Sequence, residues 1–190
     1  MLAVADHEIA GAVDRLFFSD DGTIPNSWLP VLLYRGAVSD PERLDAIFAS
    51  HGWTNGWRGS IYPYHHYHAA THEVLGVVAG WATVKLGGER GSLVDLIAGD
   101  VVVIPAGVGH RLLAGSDDFE VVGAYPNGAD IDMLTGRRGE RPAADARIAA
   151  VPRPDQDPLF GAGGPLESMW RARGERRPRP GAASEMHAGA

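Results

Sequence analysis

The chain has 190 residues, 45% of them hydrophobic and 22% charged, with 25 Gly, 13 Pro and no Cys. One ordinary globular domain is the expectation at that length, and the missing cysteines exclude disulfides, thiolate zinc sites, iron–sulfur clusters and cysteine nucleophiles. The net charge of -7, with Lys85 the single lysine among 17 basic residues, disfavours binding to a nucleic-acid backbone.

The start, MLAVADHEIAGAV, carries Asp6 and Glu8 where a signal peptide needs a basic run, and no apolar stretch reaches the length of a membrane span. A cytoplasmic protein without membrane contact is expected. Residues 1–14 read as an N-terminal extension. Arg15 to Ser19 and Pro30 to Val38 then read as short strands separated by the turn-rich DDGTIPNS. Between about residues 40 and 51 the period becomes helical: Ser39 or Asp40 can cap, Pro41 suits the first turn, Leu44, Ile47 and Phe48 share a face, and Gly52 follows.

From Trp57 to Tyr125, Val and Ile runs alternate with turns at Gly80, Gly87-Gly88, Gly91, Gly99, Pro105 to Gly109 and Gly115 to Asp118. Turns every 8 to 12 residues or so predict an all-β sandwich or barrel, with its core at about 57–126. Ser116 to Asp118 reads as a hairpin turn. Past Asn127 the sequence loosens through GRRGERPAADAR, and Asp157 to Trp170 regains apolar residues that can pack back on the body as an irregular wrap. The Arg/Pro/Gly/Ala-rich tail at 171–190 offers nothing to bury and reads as disordered. The single domain is therefore expected to span 15–170.

Four of the eight histidines fall in YHHYHAATHE, Tyr64 to Glu73. If Ile61 to His68 is a strand, Tyr64, His66 and His68 share one face, while His65 and Tyr67 take the other. A turn through Ala69 to Thr71 would return the next strand antiparallel and bring Glu73 beside the two imidazoles, with Leu75 and Val77 on its face. His110, after a second turn-rich element, can add a third imidazole.

These residues carry a resemblance. The first cupin motif, G-x(5 or 6)-H-x-H-x(3 or 4)-E-x(6)-G, is met by Gly59, His66, His68, Glu73 and Gly80. The second, G-x5-P-x-G-x2-H-x3-N, is met by Gly99, Pro105, Gly107 and His110, with Ala114 in place of the final Asn. The segments PNSWLPVLLYRGAV, HEVLGV, SDDFEVVGAYPNG and DPLFGAGGPLESMW resemble the YjlB-like cupins, over about residues 13 to 170. The resemblance implies a cupin β-barrel, a double-stranded β-helix or jelly roll, with one short N-terminal helix. It also implies a 3-His-1-Glu site of His66, His68, Glu73 and His110 holding one divalent metal ion per chain. Fe, Mn, Ni and Zn all suit such a sulfur-free set.

Candidates to line the pocket are Tyr64, His72, Arg58 and Tyr125. Arg58 and Arg111 can meet an anionic substrate or stand as solvated rim cations. His65 and His72 should both face away from Glu73's side, as outer-face or turn residues; the alternative is a hydrogen bond to a ligand or an extra ligand. The string HEVLG lacks the second His of a zinc-protease helix. A fold of this kind hosts unrelated chemistries, so three functions remain open: a metal-dependent oxidoreductase, lyase or isomerase on a small molecule; a non-catalytic small-molecule or carbohydrate-binding barrel; and a metal-free sugar-nucleotide isomerase. A homodimer is expected.

Overall fold

A strand covered on both faces needs apolar side chains at consecutive positions, whereas one facing water alternates. Both kinds occur in the computed structural model, which describes residues 13–171. In chain order the strands are β1 (Asp14–Phe18), β2 (Ser27–Tyr34), β3 (Trp53–Gly59), β4 (Glu73–Ala79), β5 (Trp81–Leu86), β6 (Ser92–Ile97), β7 (Val101–Ile104), β8 (His110–Gly115) and β9 (Glu120–Pro126). The helices are α1 (Leu44–Ser50), α2 (Ala143–Ala150) and α3 (Pro165–Met169). Most of the expected extension at 1–14 and nearly all of the tail at 171–190 lie outside the described residues.

All strand pairs are antiparallel, in a six-stranded sheet of order β1-β2-β7-β4-β9-β3 and a three-stranded sheet of order β6-β5-β8. Val31, Leu75, Val77, Val102 and Val121 of the large sheet meet Val84, Leu86 and Leu96 of the small one in one buried cluster. This is the interior of an all-β cupin barrel. The opposite face of the large sheet is buried too, because α1 lays Leu44 and Phe48, four residues apart on one helix face, against Val74, Val101 and Val122. Leu166 of α3 and Trp170 join the same layer, and the Trp170 indole donates to the Pro30 carbonyl at 2.9 Å. The wrap of Asp157 to Trp170 thus returns to the body.

Several local expectations are corrected. The second strand runs Ser27–Tyr34 and stops short of Val38, because the chain turns at Arg35 and Gly36, where the Gly36 amide donates to Asp100 Oδ1 at 2.7 Å. The helix begins as a 3-10 turn at Pro41–Arg43 before α1. The C-terminal part contains two short helices in place of a wholly irregular wrap. In α2 the Ala-rich run AADARIAA has high intrinsic helix propensity, and Ala144 and Ile148 pack against Ile24 and Tyr67. Ser116 to Asp118 is a turn, but it passes from β8 in the small sheet to β9 in the large one and makes no hairpin.

Ile61 to His68 is no regular strand, and β4 pairs with β7 and β9, with no return pairing to this segment. Pro63 removes one ladder donor. What survives are isolated bridges, His66 to His110 and Tyr67 to Leu134, which tie the segment across the end of the barrel. Among the described residues, no helix is long and apolar enough to cross a membrane.

Candidate metal centre

Three imidazoles meet at one end of the barrel. The reciprocal backbone bonds of His66 and His110, at 3.2 and 2.9 Å, place their rings 4.0 Å apart between centroids. Residue 68 is two positions further on the same face, and its ring lies 5.7 Å from His66 and 5.8 Å from His110. All three are buried, and one ligand atom from each falls within 4.8 Å of the others. The turn before β8 sets where His110 enters. Gly107 has φ +91°, and a Cβ there would sit 2.5 Å from the Asn26 carbonyl, so that turn requires glycine.

The second nitrogen of each ring fixes its tautomer. His66 Nδ1 contacts the Tyr64 carbonyl at 3.3 Å, His110 Nδ1 the Val108 carbonyl at 3.2 Å, and His68 Nδ1 the Asp132 carbonyl. A carbonyl only accepts, so each Nδ1 carries the proton and each Nε2 presents a lone pair. Backbone anchoring of the remote nitrogen is the arrangement that orients histidines toward a metal.

Glu73 opens β4, opposite Ile104 of β7, on the inward face with Leu75 and Val77. Its Oε1 accepts from the Tyr125 hydroxyl at 3.0 Å, and that hydroxyl accepts the Trp57 indole N–H at 2.7 Å. Gly123 makes room for this chain, since a Cβ there would lie 2.4 Å from the Trp57 indole. Glu73 Oε2 lies 3.4 Å from His68 Nε2 and 3.2 Å from His110 Nε2, yet it is buried and has no aligned hydrogen-bond partner. An orphaned carboxylate oxygen beside imidazole lone pairs is costly unless a cation completes it. The three imidazoles, with Glu73 beside two of them, therefore fit a divalent metal.

The four groups shift one another's charge. Burial, together with the neighbouring His110, pushes the His66 imidazole down to about 3, so it stays neutral. Burial pulls His68 down as well, but the Glu73 carboxylate overcomes it and raises the ring above its ordinary value. Burial opposes the charge on Glu73, while His110 and His68 hold its carboxyl well below the usual range. The Tyr125 phenol is pushed far up by burial and by the Glu73 charge, and stays a donor.

Above these residues opens a cavity of about 340 Å³, lined also by Trp57, Arg58, Ile61, Tyr62, Leu75, Tyr125, Ile131 and Met133. Tyr125 reaches this cavity, whereas Arg58, opposite Val122, sends its guanidinium to Glu42 and Asp45 on the α1 side of the sheet. Tyr64 is not in the wall; it is 44% exposed at the rim, stacked on Tyr62 with 5.1 Å between centroids. His72 does not line this cavity either; as its place directly before Glu73 predicts, strand alternation turns it away from Glu73's face. Its Nδ1 accepts the Ala106 amide at 2.9 Å, its ring lies 4.7 Å from Trp170, and burial pushes it down to about 4. Arg111 and His65 face a separate outer cavity with Glu89. Ala114, in the place of the motif's Asn, is exposed on β8 opposite Thr83.

Residues that sequence reasoning missed come from a strap at 131–134. Asp132 supplies the carbonyl for His68, and its Oδ1 accepts the amides of Ala69 and Ala70 at 2.8 and 3.1 Å. Ile131 and Met133, either side of it, face the cavity. No periodicity marks this stretch, and a carbonyl acceptor leaves no trace in residue type.

A β-barrel carrying three converging histidines at one end defines a class. Residues 57–123 match the cupin domain family, and the chain belongs to the cupins. Within them it is 46% identical over 155 residues to the uncharacterized protein YjlB of Bacillus subtilis (strain 168), an alignment covering 81% of this chain and 94% of that protein. This is therefore a YjlB-like cupin. Among solved structures, procruciferin, an 11S globulin from Brassica napus, is 23% identical, with 42% of this chain and 22% of that one covered at a TM-score of 0.37. Acireductone dioxygenase from Bacillus anthracis, with a cadmium ion in its active center, is 21% identical, with 50% and 60% covered at a TM-score of 0.31. This chain spans only about a fifth of procruciferin's length.

Proposed function

We infer that the protein binds one divalent metal ion, Fe, Mn, Ni or Zn, through His66, His68, His110 and Glu73, and that it is a metal-dependent oxidoreductase, lyase or isomerase acting on a small molecule. The observation that carries this is the joint orientation of the donors. Three Nδ1–H groups are tied to carbonyls so that the three Nε2 atoms converge, and two of them, of His68 and His110, lie beside a carboxylate oxygen with no aligned partner. Bound there, the ion would supply a Lewis acid with positions open to an oxygen donor.

The chain's own residues do the rest. Trp57 and Tyr125 hold Glu73 in place, the backbone holds the imidazoles, and the apolar wall excludes water around a bound ligand. One observation favours a non-catalytic binding barrel as the second reading. Among the described residues lining the cavity, no acid or base stands outside the proposed ligands except Tyr125, Tyr62 and Arg58. A metal-free isomerase fits less well, since it leaves Glu73 Oε2 buried and unmet.

The test is elemental analysis of protein purified without a histidine tag or chelator, beside the single alanine variants of the four residues. Near-stoichiometric metal lost in each variant supports the site. No metal after reconstitution with each ion would sink it, and a turnover or O2-uptake screen separates enzyme from binding barrel. We also infer a homodimer, supported by Trp81, Leu93, Ile97 and Leu113, exposed apolar side chains of the small sheet. A monomer in sedimentation at micromolar concentration would count against it.

A further inference from the structure

An ionic group entering a narrow cavity leaves water and must find a counter-charge there. Among the described lining residues, Arg58 is the sole Lys or Arg, and it is already engaged. Its Nη1 lies 2.9 Å from Glu42 Oε2 and 3.6 Å from Glu120 Oε2, while its Nη2 bonds the Glu42 carbonyl at 3.0 Å and lies 3.4 Å from Asp45 Oδ2. Arg58 pairs with Val122, so its guanidinium is turned to the α1 side of the sheet and held there by these three carboxylates. Among the described lining residues, a carboxylate or phosphate at the outer end of a ligand would therefore find no free cation to meet it. Arg111, the other cation that sequence reading offered to an anion, faces the outer cavity with Glu89.

The rest of the mouth is apolar. Tyr62, Ile131 and Met133 line it, and each keeps between 41% and 47% of its surface in water. Tyr62 stands edge-on to His66, 5.4 Å between centroids, so its ring runs from the rim down to the proposed ligands. Farther in, Trp57, Ile61 and Leu75 continue the apolar wall, and the Tyr125 hydroxyl is occupied both as donor and as acceptor. The polar groups left to meet a ligand are concentrated on the floor.

Resting on the metal-centre reading, we propose that the cavity selects small molecules with a single oxygen-donor head group for the metal and an otherwise uncharged, apolar body. Tyr62, Ile131 and Met133 choose the body, and a mouth without a free cation disfavours sugar phosphates, nucleotide sugars and dicarboxylates. One metal dication less the Glu73 charge leaves room for one anionic oxygen at the head and for no second anion at the tail.

The test is calorimetry on the full chain in two stages. Fe, Mn, Ni and Zn are titrated first, and the protein loaded with the ion that binds most tightly is then titrated with acetohydroxamate, benzohydroxamate and 4-carboxybenzohydroxamate, which share a metal-binding head. Benzohydroxamate is expected to bind at least about tenfold tighter than acetohydroxamate, because its ring is taken out of water. The carboxylated compound is expected to bind at least about tenfold weaker than benzohydroxamate. In the Tyr62→Ala/Met133→Ala variant, loaded with the same ion, the advantage of the ring should shrink to about threefold or less. Equal or tighter binding of the carboxylated compound, no advantage for the ring, or no hydroxamate binding to loaded protein overturns this proposal and leaves the metal centre standing. A chain that takes up none of the four ions overturns the metal reading and this one together.

Discussion

The Tyr125 hydroxyl donates to Oε1 of Glu73 at 3.0 Å and accepts the indole N–H of Trp57 at 2.7 Å, so one oxygen of a buried carboxylate is fixed while the other faces the histidines. Tyr125→Phe removes the donor and leaves the ring. We expect metal affinity to fall about 10- to 100-fold, as for other partners that orient a ligand. Folding stability should drop by about 1–3 kcal/mol, because Oε1 and the indole are left unmet. Metal titration and urea unfolding read the two effects separately, and unchanged affinity would show that Glu73 needs no such support.

Replacing His68 or His110 by Ala should abolish stoichiometric metal while the barrel still folds, since the cores of Val31, Val77, Val84 and Val102 are built without them. Removing metal from the wild-type protein should lower stability by about 2.7 kcal/mol where free metal stands at a hundred times its dissociation constant. Circular dichroism and elemental analysis check both points. Full metal occupancy in the His68→Ala/His110→Ala double variant would refute the ligand assignment.

His72 neighbours Glu73 in sequence yet serves the fold. Its Nδ1 takes the buried Ala106 amide, and its ring packs on Trp170. His72→Ala should cost about 2–4 kcal/mol, from an unmet amide and a cavity beside Trp170. Metal content should stay at the wild-type level. Loss of metal from a folded His72→Ala protein would return this residue to the site.

Acid should loosen the strap over the cavity. Burial is the largest single influence on Glu140 and raises it, but the Thr135 amide, the Tyr67 hydroxyl and the Gly136 amide together outweigh it and hold the carboxyl below its ordinary value. With the folded value depressed, this contribution to stability is complete above about pH 4.5 and is lost as pH falls through the folded value. Exchange of the Thr135 and Gly136 amides, corrected for intrinsic rate, should rise several-fold between about pH 6 and about pH 3.5. Glu140→Gln should show the faster exchange already near neutrality and no further step in acid. A variant that keeps the acid step would assign it to another carboxylate.

The residue sequence alone carried a great deal here. Two spaced motifs named the fold, and the alternation of side chains placed Glu73 with Leu75 and Val77 on the inward face of its strand. Such inferences succeed because the period of a strand is a property of its backbone, independent of what the strand pairs with. Where the period fails, so does the inference: Ile61 to His68 holds its histidines through isolated bridges to His110 and Leu134, which no pattern within the segment encodes.

What only tertiary structure decided is which groups stay free to act. Arg58 looked available to an anion, yet it stands on the outer face of the large sheet, where the turn at Pro41–Arg43, α1 and the start of β9 bring Glu42, Asp45 and Glu120 around it. His68 owes its tautomer to a carbonyl 64 positions away in sequence, and the mouth owes its apolar rim to a strap without periodicity. Charge and hydrogen-bond capacity are spent between residues far apart along the chain, and their balance exists only once the chain has closed.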